Sequence, residues 1–428
     1  MTSAQKGAPG SWWNKVARWP RELYRYWSGK RAGWWLSARL RRTAQRLQLP
    51  DKQSLGHLAD AWQSLGSKTY RPELELKAAE RALLSDIRQR TERENRNNVT
   101  RTAAYLSFYR RHPEVHWSLL AHMVSRNGGW NMTDLQGELI SRLLSGEQRR
   151  QTFQMLERAN FLIFGDAYPQ LLLYEAGLAT GEDLSRLLPA LGVSRFMQPV
   201  WSRFYASRES AMLSMALIVN EQHYIEERVV QHPWYREHVL EALYFKLQSP
   251  LQFNQVIFPY QANGQGTVYV GLVLEDFTSL QERIAFGKRL YAILYRIPEV
   301  FDGVSGYVCH HPHTGSRADY AGELFSPEAG AQAHGPFRER LHALRLLEGA
   351  DRLYSPELGQ AWADQPGRPP EPGDWLMQAD PQDLAGYLER LPLPRSFVIT
   401  NEYGFALDKL ELAVLAGEDT HTLPGRRD

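Results

Sequence analysis

Three stretches of this chain concentrate side chains able to ligate a metal, grip an anion or move a proton. The first, NNVTRTAAYLSFYRRHPEVHWSLLAHMVSRNGGWNMTDL from Asn97 to Leu135, carries His112, His116 and His122, then Arg126, Asn127, Trp130 and Asn131. His112 and His116 have the H-x-x-x-H spacing that puts two imidazoles on one helical face, as zinc sites use. Pro113 opposes that use, because the residue before a proline is pushed out of the α region and His112 then precedes the helix that carries His116. His122 points well round from His116, so the three do not converge. No metal is expected, and the histidines read as structural or hydrogen-bonding groups. Asn127-Gly128-Gly129 reads as the stop of that helix, with glycine supplying positive φ. Arg126, Asn127, Trp130 and Asn131 grouped at a helix end suit an anion or a planar group.

The second stretch, AMLSMALIVNEQHYIEERVV from Ala211 to Val230, opens with nine residues that are apolar almost all round, apart from Ser214. That marks a central core helix. It then reaches Asn220 and Glu221. Glu221 shares a helical face with Leu217, Ile218, Tyr224 and Ile225, an environment that desolvates a carboxyl and raises its pKa unless a cation pairs with it. Glu221 is therefore either a general acid or base or a buried structural carboxylate. The third stretch, CHHPHTGSRADY from Cys309 to Tyr320, clusters His313, Thr314, Ser316, Arg317 and Asp319 around Gly315. Neighbours this close cannot all reach one ion. The segment reads as a polar loop presenting hydroxyls, a guanidinium and a carboxylate, or as a turn closed by an Arg317–Asp319 salt bridge.

Several chemistries are absent from the sequence. There is no G-x-x-x-x-G-K-[ST], no G-x-G-x-x-G after a strand, no H-E-x-x-H and no G-x-S-x-G. A di-iron bundle needs two E-x-x-H motifs with further glutamates; Glu339/His342 and Glu418/His421 have the spacing, but the second pair falls in a loose tail, so a di-iron site is not expected. No cofactor is indicated. Cys309 is the sole cysteine, which excludes an intrachain disulfide and a thiolate cluster and suits a reducing interior.

The elements that must position these groups are mostly helices. Apolar residues recur at three- and four-residue steps from Pro72 to about Glu94, and helical periodicity continues at about 98–110, 114–126, 147–164, 209–230, 234–247, 279–297, 336–347 and 405–416. Strand signal is confined to 255–260 and 267–274, a hairpin joined by a glycine-containing turn, and to a short run at 396–400 that can pair with it. Eight prolines from Asp351 to Pro394 mark an irregular connector. With 428 residues, 43% apolar and 23% charged, the expectation is a mainly α protein. Its parts would be a basic arm at 1–49, a large multi-helix body with one small β-hairpin at 50–349, and a Pro-rich connector and C-terminal segment at 350–428.

Charge is unevenly spread. Residues 1–50 hold eleven Lys or Arg against one acid, Glu22, leaving 39 basic and 47 acidic residues in the rest. An acidic body with a basic arm is not the footprint of a general nucleic-acid binder, which needs positive charge along a broad groove. The arm also holds Trp12, Trp13, Trp19, Trp27, Trp34 and Trp35, six of the thirteen tryptophans. Indoles and basic side chains at helical spacing suit the headgroup level of an anionic membrane. The alternatives are packing of the indoles against the acidic body or an acidic protein partner. Pro20 predicts two short helical segments rather than one. No signal-peptide pattern and no apolar run of about 18 residues is present, so the expected location is cytoplasmic, peripheral at the inner membrane face.

The first stretch, together with NEQHYIEERVV, a later FPY, RIAFGKRLYAIL and HPHTGSRADY, resembles the uncharacterised bacterial YppC-like family, a domain of unknown function, over about Arg71 to Phe325. The resemblance implies a bacterial, mostly helical protein and assigns no chemistry. Two readings of function therefore stand. One is a binding or regulatory protein with a polar recess, docked by its arm to the inner membrane face or an acidic partner. The other is a hydrolase using Glu221 with His116 or His313, with or without a metal.

Overall fold

Helices account for most of the chain, and the fold is mainly α. The computed structural model describes residues 11–66, 76–240, 255–261, 267–342 and 344–422. Its principal helices are α1 (Ser11–Arg42), α2 (Lys52–Gly66), α3 (Ala78–Glu94), α4 (Asn98–Arg111), α5 (His116–Asp134), α6 (Gly146–Thr180), α7 (Met197–Ser207), α8 (Ser210–Ile225), α9 (Leu280–Arg296), α10 (Pro298–His310) and α11 (Thr400–Thr422). The apolar-all-round helix α8 is buried from Ala211 to Asn220, with α5, α6, α7 and α9 packed on it. Its core includes Leu213, Leu217, Phe164, Leu171, Trp201, Ile293 and Val300.

The expected hairpin forms between β1 (Gln255–Gln261) and β2 (Thr267–Val273), antiparallel with Phe258 opposite Val270. The chain near 398 lies along its open edge, as the sequence suggested. The Gly271 amide donates to the Phe397 carbonyl at 2.7 Å and the Ile399 amide to the Tyr269 carbonyl at 2.9 Å. A second core forms where α11 lands on this sheet, joining Tyr403, Leu407 and Val414 to Trp130, Ile257, Tyr269 and Phe325.

Five local expectations are corrected. Helix α1 is continuous through Pro20, whereas two segments were expected. Helix α5 runs through Asn127-Gly128-Gly129 to Asp134. Gly129 serves close packing, since a Cβ there would lie 2.6 Å from both Asn98 Oδ1 and His313 Cε1. Helix α6 extends past 164 to Thr180, with Pro169 inside it. The described residues of 336–347, expected as helix, are not helical: Leu341–His342 pairs antiparallel with Arg345–Leu346, and Leu344 has φ 59°. The expected helix at 234–247 begins with a turn at Pro233–Tyr235 and a π-helical turn at Arg236–Leu240, and 241–247 lie outside the described residues.

Contacts cross the expected boundaries near 49 and 349. Ser37 Oγ accepts the amides of Phe397 and Val398 at 3.1 and 3.0 Å, and Gly33 faces the Val398 carbonyl. No described helix is long and apolar enough to cross a membrane.

Candidate functional site

Helices α4 and α5 lie side by side, and α10 ends so that the loop 311–317 folds over them. The first and third polar stretches of the sequence are thereby brought together. Asn98 is the joint. Its Nδ2 donates to the Ser125 carbonyl at 3.0 Å, and its Oδ1 lies 2.8 Å from His313 Nε2. The other ring nitrogen of His313 is 3.4 Å from Asp319 Oδ2. Asp319 also accepts the Thr314 amide and hydroxyl, both at 2.8 Å. Burial lowers the His313 pKa. Burial would raise that of Asp319, but the His313 contact and the Thr314 donors outweigh it and hold the carboxylate low.

Arg126 is buried beneath the same loop. It donates to the carbonyls of His311 and Pro312 at 2.7 and 3.2 Å and faces the rings of Tyr307 and Tyr320. Asn127 fixes the hairpin to α5, accepting the Ile257 amide and donating to its carbonyl, each at 2.9 Å. His122 Nδ1 donates to the Thr102 carbonyl oxygen at 2.8 Å. Burial, reinforced by the Arg126 charge, pulls its pKa to about 3. Trp130 and Asn131 are also buried, and Arg317 stacks on Trp130 with its guanidinium carbon 3.9 Å from the ring centroid.

Arg317 pairs with Asp134 rather than with Asp319, the partner expected from sequence proximity. The Asp134 carboxylate also accepts the Ser355 hydroxyl at 3.0 Å, while Ser316 donates to the Ser355 carbonyl at 2.5 Å. Arg317 further donates to Tyr403 Oη at 3.2 Å. These contacts bind four chain segments through charge-assisted hydrogen bonds. Chemically the cluster resembles internal bracing: its cations are matched to carbonyls, rings or carboxylates.

The remaining candidates lie elsewhere. His112 closes α4 with Nε2 3.2 Å from Glu175. His116 hydrogen-bonds Tyr291 Oη at 2.9 Å and stacks on Tyr295, and burial lowers its pKa to about 4. Among the described residues no group of His, Cys, Asp and Glu is arranged to hold a metal ion. Glu221 sits on α8 beside Gln222 and Trp117, and desolvation, with a small contribution from Asp166, raises its pKa to about 8. No hydrogen bond or ion pair among the described residues joins Glu221 to His116 or His313. Asn220 instead reaches Asp166 on α6 at 2.6 Å.

Asp166 was not singled out from the sequence. It is buried, hydrogen-bonded by Asn220 and Gln170, and raised by desolvation to about 7. Its signal was available: a lone carboxylate inside the apolar run FLIFGDAY. Also missed were Arg158, Arg228, Arg368 and Trp375, which converge from distant segments on one cavity.

On the outer face of the molecule, Tyr24, Trp27, Trp34 and Trp35 of α1 are 76, 61, 48 and 61% exposed. The side chains of Trp12, Trp13 and Trp19 lie outside the described residues.

Comparison with known proteins places this architecture. Residues 93–383 match the family described as "Protein of unknown function (DUF2515)". The chain belongs to that family. It is also similar to the protein titled "Uncharacterized protein YppC" of Bacillus subtilis (strain 168), 45% identical over 239 residues, covering 56% of this chain and 73% of that one. No solved structure matches. The family region spans both polar stretches of α4–α5 and 309–320, and continues beyond Phe325 into the Pro-rich segment.

Proposed function

We propose that this chain is a binding or regulatory protein held at an anionic membrane surface by the outer face of α1. One observation carries the reading. Tyr24, Trp27, Arg31, Trp34 and Trp35 fall at i, i+3, i+7, i+10 and i+11, so one exposed face combines large aromatics with a cation. Contiguous exposed aromatic surface is uncommon in a protein that meets only water. Indoles and guanidinium groups together match the headgroup layer, where rings sit at the interface and cations meet lipid phosphates.

The opposite face of α1 supports the same reading because it is already occupied. Leu40 is fully buried, Ser37 receives two backbone amides, and Tyr26 packs on Phe405 with ring centroids 4.5 Å apart. The aromatic face is therefore presented outward on a fixed helix. Arg31, Arg41 and Arg42 have no salt bridge among the described residues and remain available to an anionic surface.

The test is co-sedimentation of the full-length protein with vesicles of anionic and of purely zwitterionic lipid. Binding is expected to anionic vesicles and to weaken with salt. The variant Trp27→Ser, Trp34→Ser, Trp35→Ser is expected to lose at least about tenfold in partitioning, about 1.4 kcal/mol, with an unchanged circular-dichroism melt. Equal sedimentation of the variant and the wild type would remove the proposal.

A further inference from the structure

A cavity of about 710 Å³ opens between the middle of α6, the π-helical turn Glu226–Val230 that ends α8, and the segment 365–375. Its size falls in the range of small-molecule sites, roughly 300–1,000 Å³. Three guanidinium groups face it: Arg158 from α6, Arg228 from the π turn and Arg368 from the Pro-rich segment. The backbone of that segment is held by the first two, since Arg158 donates to the Arg368 carbonyl and Arg228 donates to the Glu371 carbonyl at 3.2 Å. Gly367 lets the segment lie directly on α6, because a Cβ there would fall 1.9 Å from the Phe161 ring.

The lining carries Glu157, Glu227, Glu371 and Asp374 beside the three arginines, but its cations and anions are not paired. None of the three arginines has a carboxylate within salt-bridge distance among the described residues. Glu157, also in the wall, is taken by the buried Arg101, with one contact at 3.0 Å. Asp374 is committed to the Ser194 hydroxyl and the Arg195 amide at 2.6 and 3.0 Å. Glu227 and Glu371 remain at the rim, both exposed. Burial first, then repulsion from Arg228 and Arg368, holds Arg158 below the usual guanidinium range. Arg228 lies against two aromatic rings, 4.6 Å from the Tyr224 centroid and 5.3 Å from that of Trp375, and its buried Nε has no hydrogen-bond partner among the described residues. Trp234 and Tyr235 contribute further ring surface to the cavity.

We propose that this cavity binds a small organic phosphate carrying a planar ring, of the nucleotide class. Guanidinium forks match phosphate oxygens in geometry and charge, and a multiply charged phosphate relieves the repulsion among three unpaired cations. The aromatic walls supply faces on which a planar ring stacks. The proposal does not depend on how α1 meets a membrane, because the cavity is formed by other elements.

The test is isothermal titration calorimetry of the full-length protein, without vesicles, using ADP, pyrophosphate and adenosine as probes at low salt. ADP is expected to bind at least tenfold more tightly than either fragment. The variant Arg158→Gln, Arg368→Gln is expected to weaken ADP at least tenfold, and Trp234→Ala to weaken ADP while leaving pyrophosphate unchanged. Because Arg158 is partly buried, the exposed single change Arg368→Glu gives the charge test on a surface position and is expected to weaken both phosphates. No heat with any probe at millimolar concentration, or ADP affinity indifferent to Arg368→Glu, overturns the proposal. Pyrophosphate binding as tightly as ADP overturns the requirement for a ring.

Discussion

Asp166 and Glu221 are carboxyls placed where the ionised form is poorly solvated, and their proton balance has a direct consequence for stability. Their pKa values rise from 3.8 to about 7 and from 4.5 to about 8, in each case chiefly through desolvation. Between the unfolded and folded values the native state holds more protons than the unfolded chain. Stability from these groups is therefore full below about pH 4 and is lost as the pH climbs through 7 and 8. His116 and His122 act oppositely. Burial lowers them from 6.5 to about 4 and about 3, so the unfolded chain takes up protons first and their stabilisation is lost as pH falls below 6.5. The two effects overlap at acid pH, leaving about pH 6.5 to 8 as the window in which the carboxyls dominate, opposed near its upper end by Lys288, which burial lowers to about 8. Urea unfolding should show stability falling across that window by up to ~1.4 kcal/mol per pH unit for each group. Glu221→Gln, which mimics the protonated side chain, should flatten the fall, most visibly above pH 7. An unchanged slope would mean that Glu221 is ionised in the folded protein.

Helix α5 shows at the level of elements why glycine patterns are ambiguous in a sequence. Asn127-Gly128-Gly129 has the composition of a helix stop, yet α5 continues to Asp134. Gly129 meets a tertiary requirement instead, admitting Asn98 and His313 to well under van der Waals distance of any Cβ, whereas a Cβ on Gly128 would meet Asn160 and Asn98 at an ordinary 3.6 and 3.7 Å. The two positions should therefore differ on mutation. Gly129→Ala is expected to destabilise by about 1–3 kcal/mol, because the contact must open on both sides. Gly128→Ala should be neutral or stabilising, since its Cβ has room and alanine favours helix by about 1 kcal/mol. Paired thermal melts check this, and equal shifts for the two variants contradict the packing account. The same logic bounds what was legible beforehand. Helices with strong apolar periodicity, the hairpin and its pairing with the run near 398 could be read because local pattern specified them. The extended turn at Leu341–Leu346 could not, since its amides at Arg340 and Leu341 are satisfied by Glu411, seventy residues away, at 2.6 and 3.1 Å. The polar stretches were visible as compositions, and even the joining of two of them left partners unspecified. Arg317 found Asp134 across 183 positions instead of the nearby Asp319. The three arginines of the cavity carried no local signal, because convergence of distant single residues leaves no mark in a linear pattern.

At the scale of the whole molecule, the family region at 93–383 does not contain everything that its core touches. Ile399, Tyr403, Leu407, Leu410, Val414 and Leu415 are buried against Trp130, Met132, Ile257 and Phe325. Tyr403 also bonds to Arg317, and Glu411 caps the backbone at Arg340 and Leu341. At ~1.5–3 kcal/mol for each fully buried apolar side chain, losing six of them is comparable with the whole stability of a typical domain, ~5–15 kcal/mol. It would also remove one hydrogen-bond partner of the buried Arg317 and uncover one edge of β2, which pairs with the chain at 397–399. A fragment ending at residue 383 is therefore expected to lose its cooperative urea transition and to bind a hydrophobic dye, while the full chain keeps a sharp transition. The unfolding slope separates the outcomes, because it scales with the surface exposed. A fragment 1–383 that unfolds cooperatively with a slope proportionate to its length would show that α11 is an accessory to a self-sufficient core. A broad transition would place α11, which also carries the inner face of α1, as the element that closes the fold and holds the aromatic face outward.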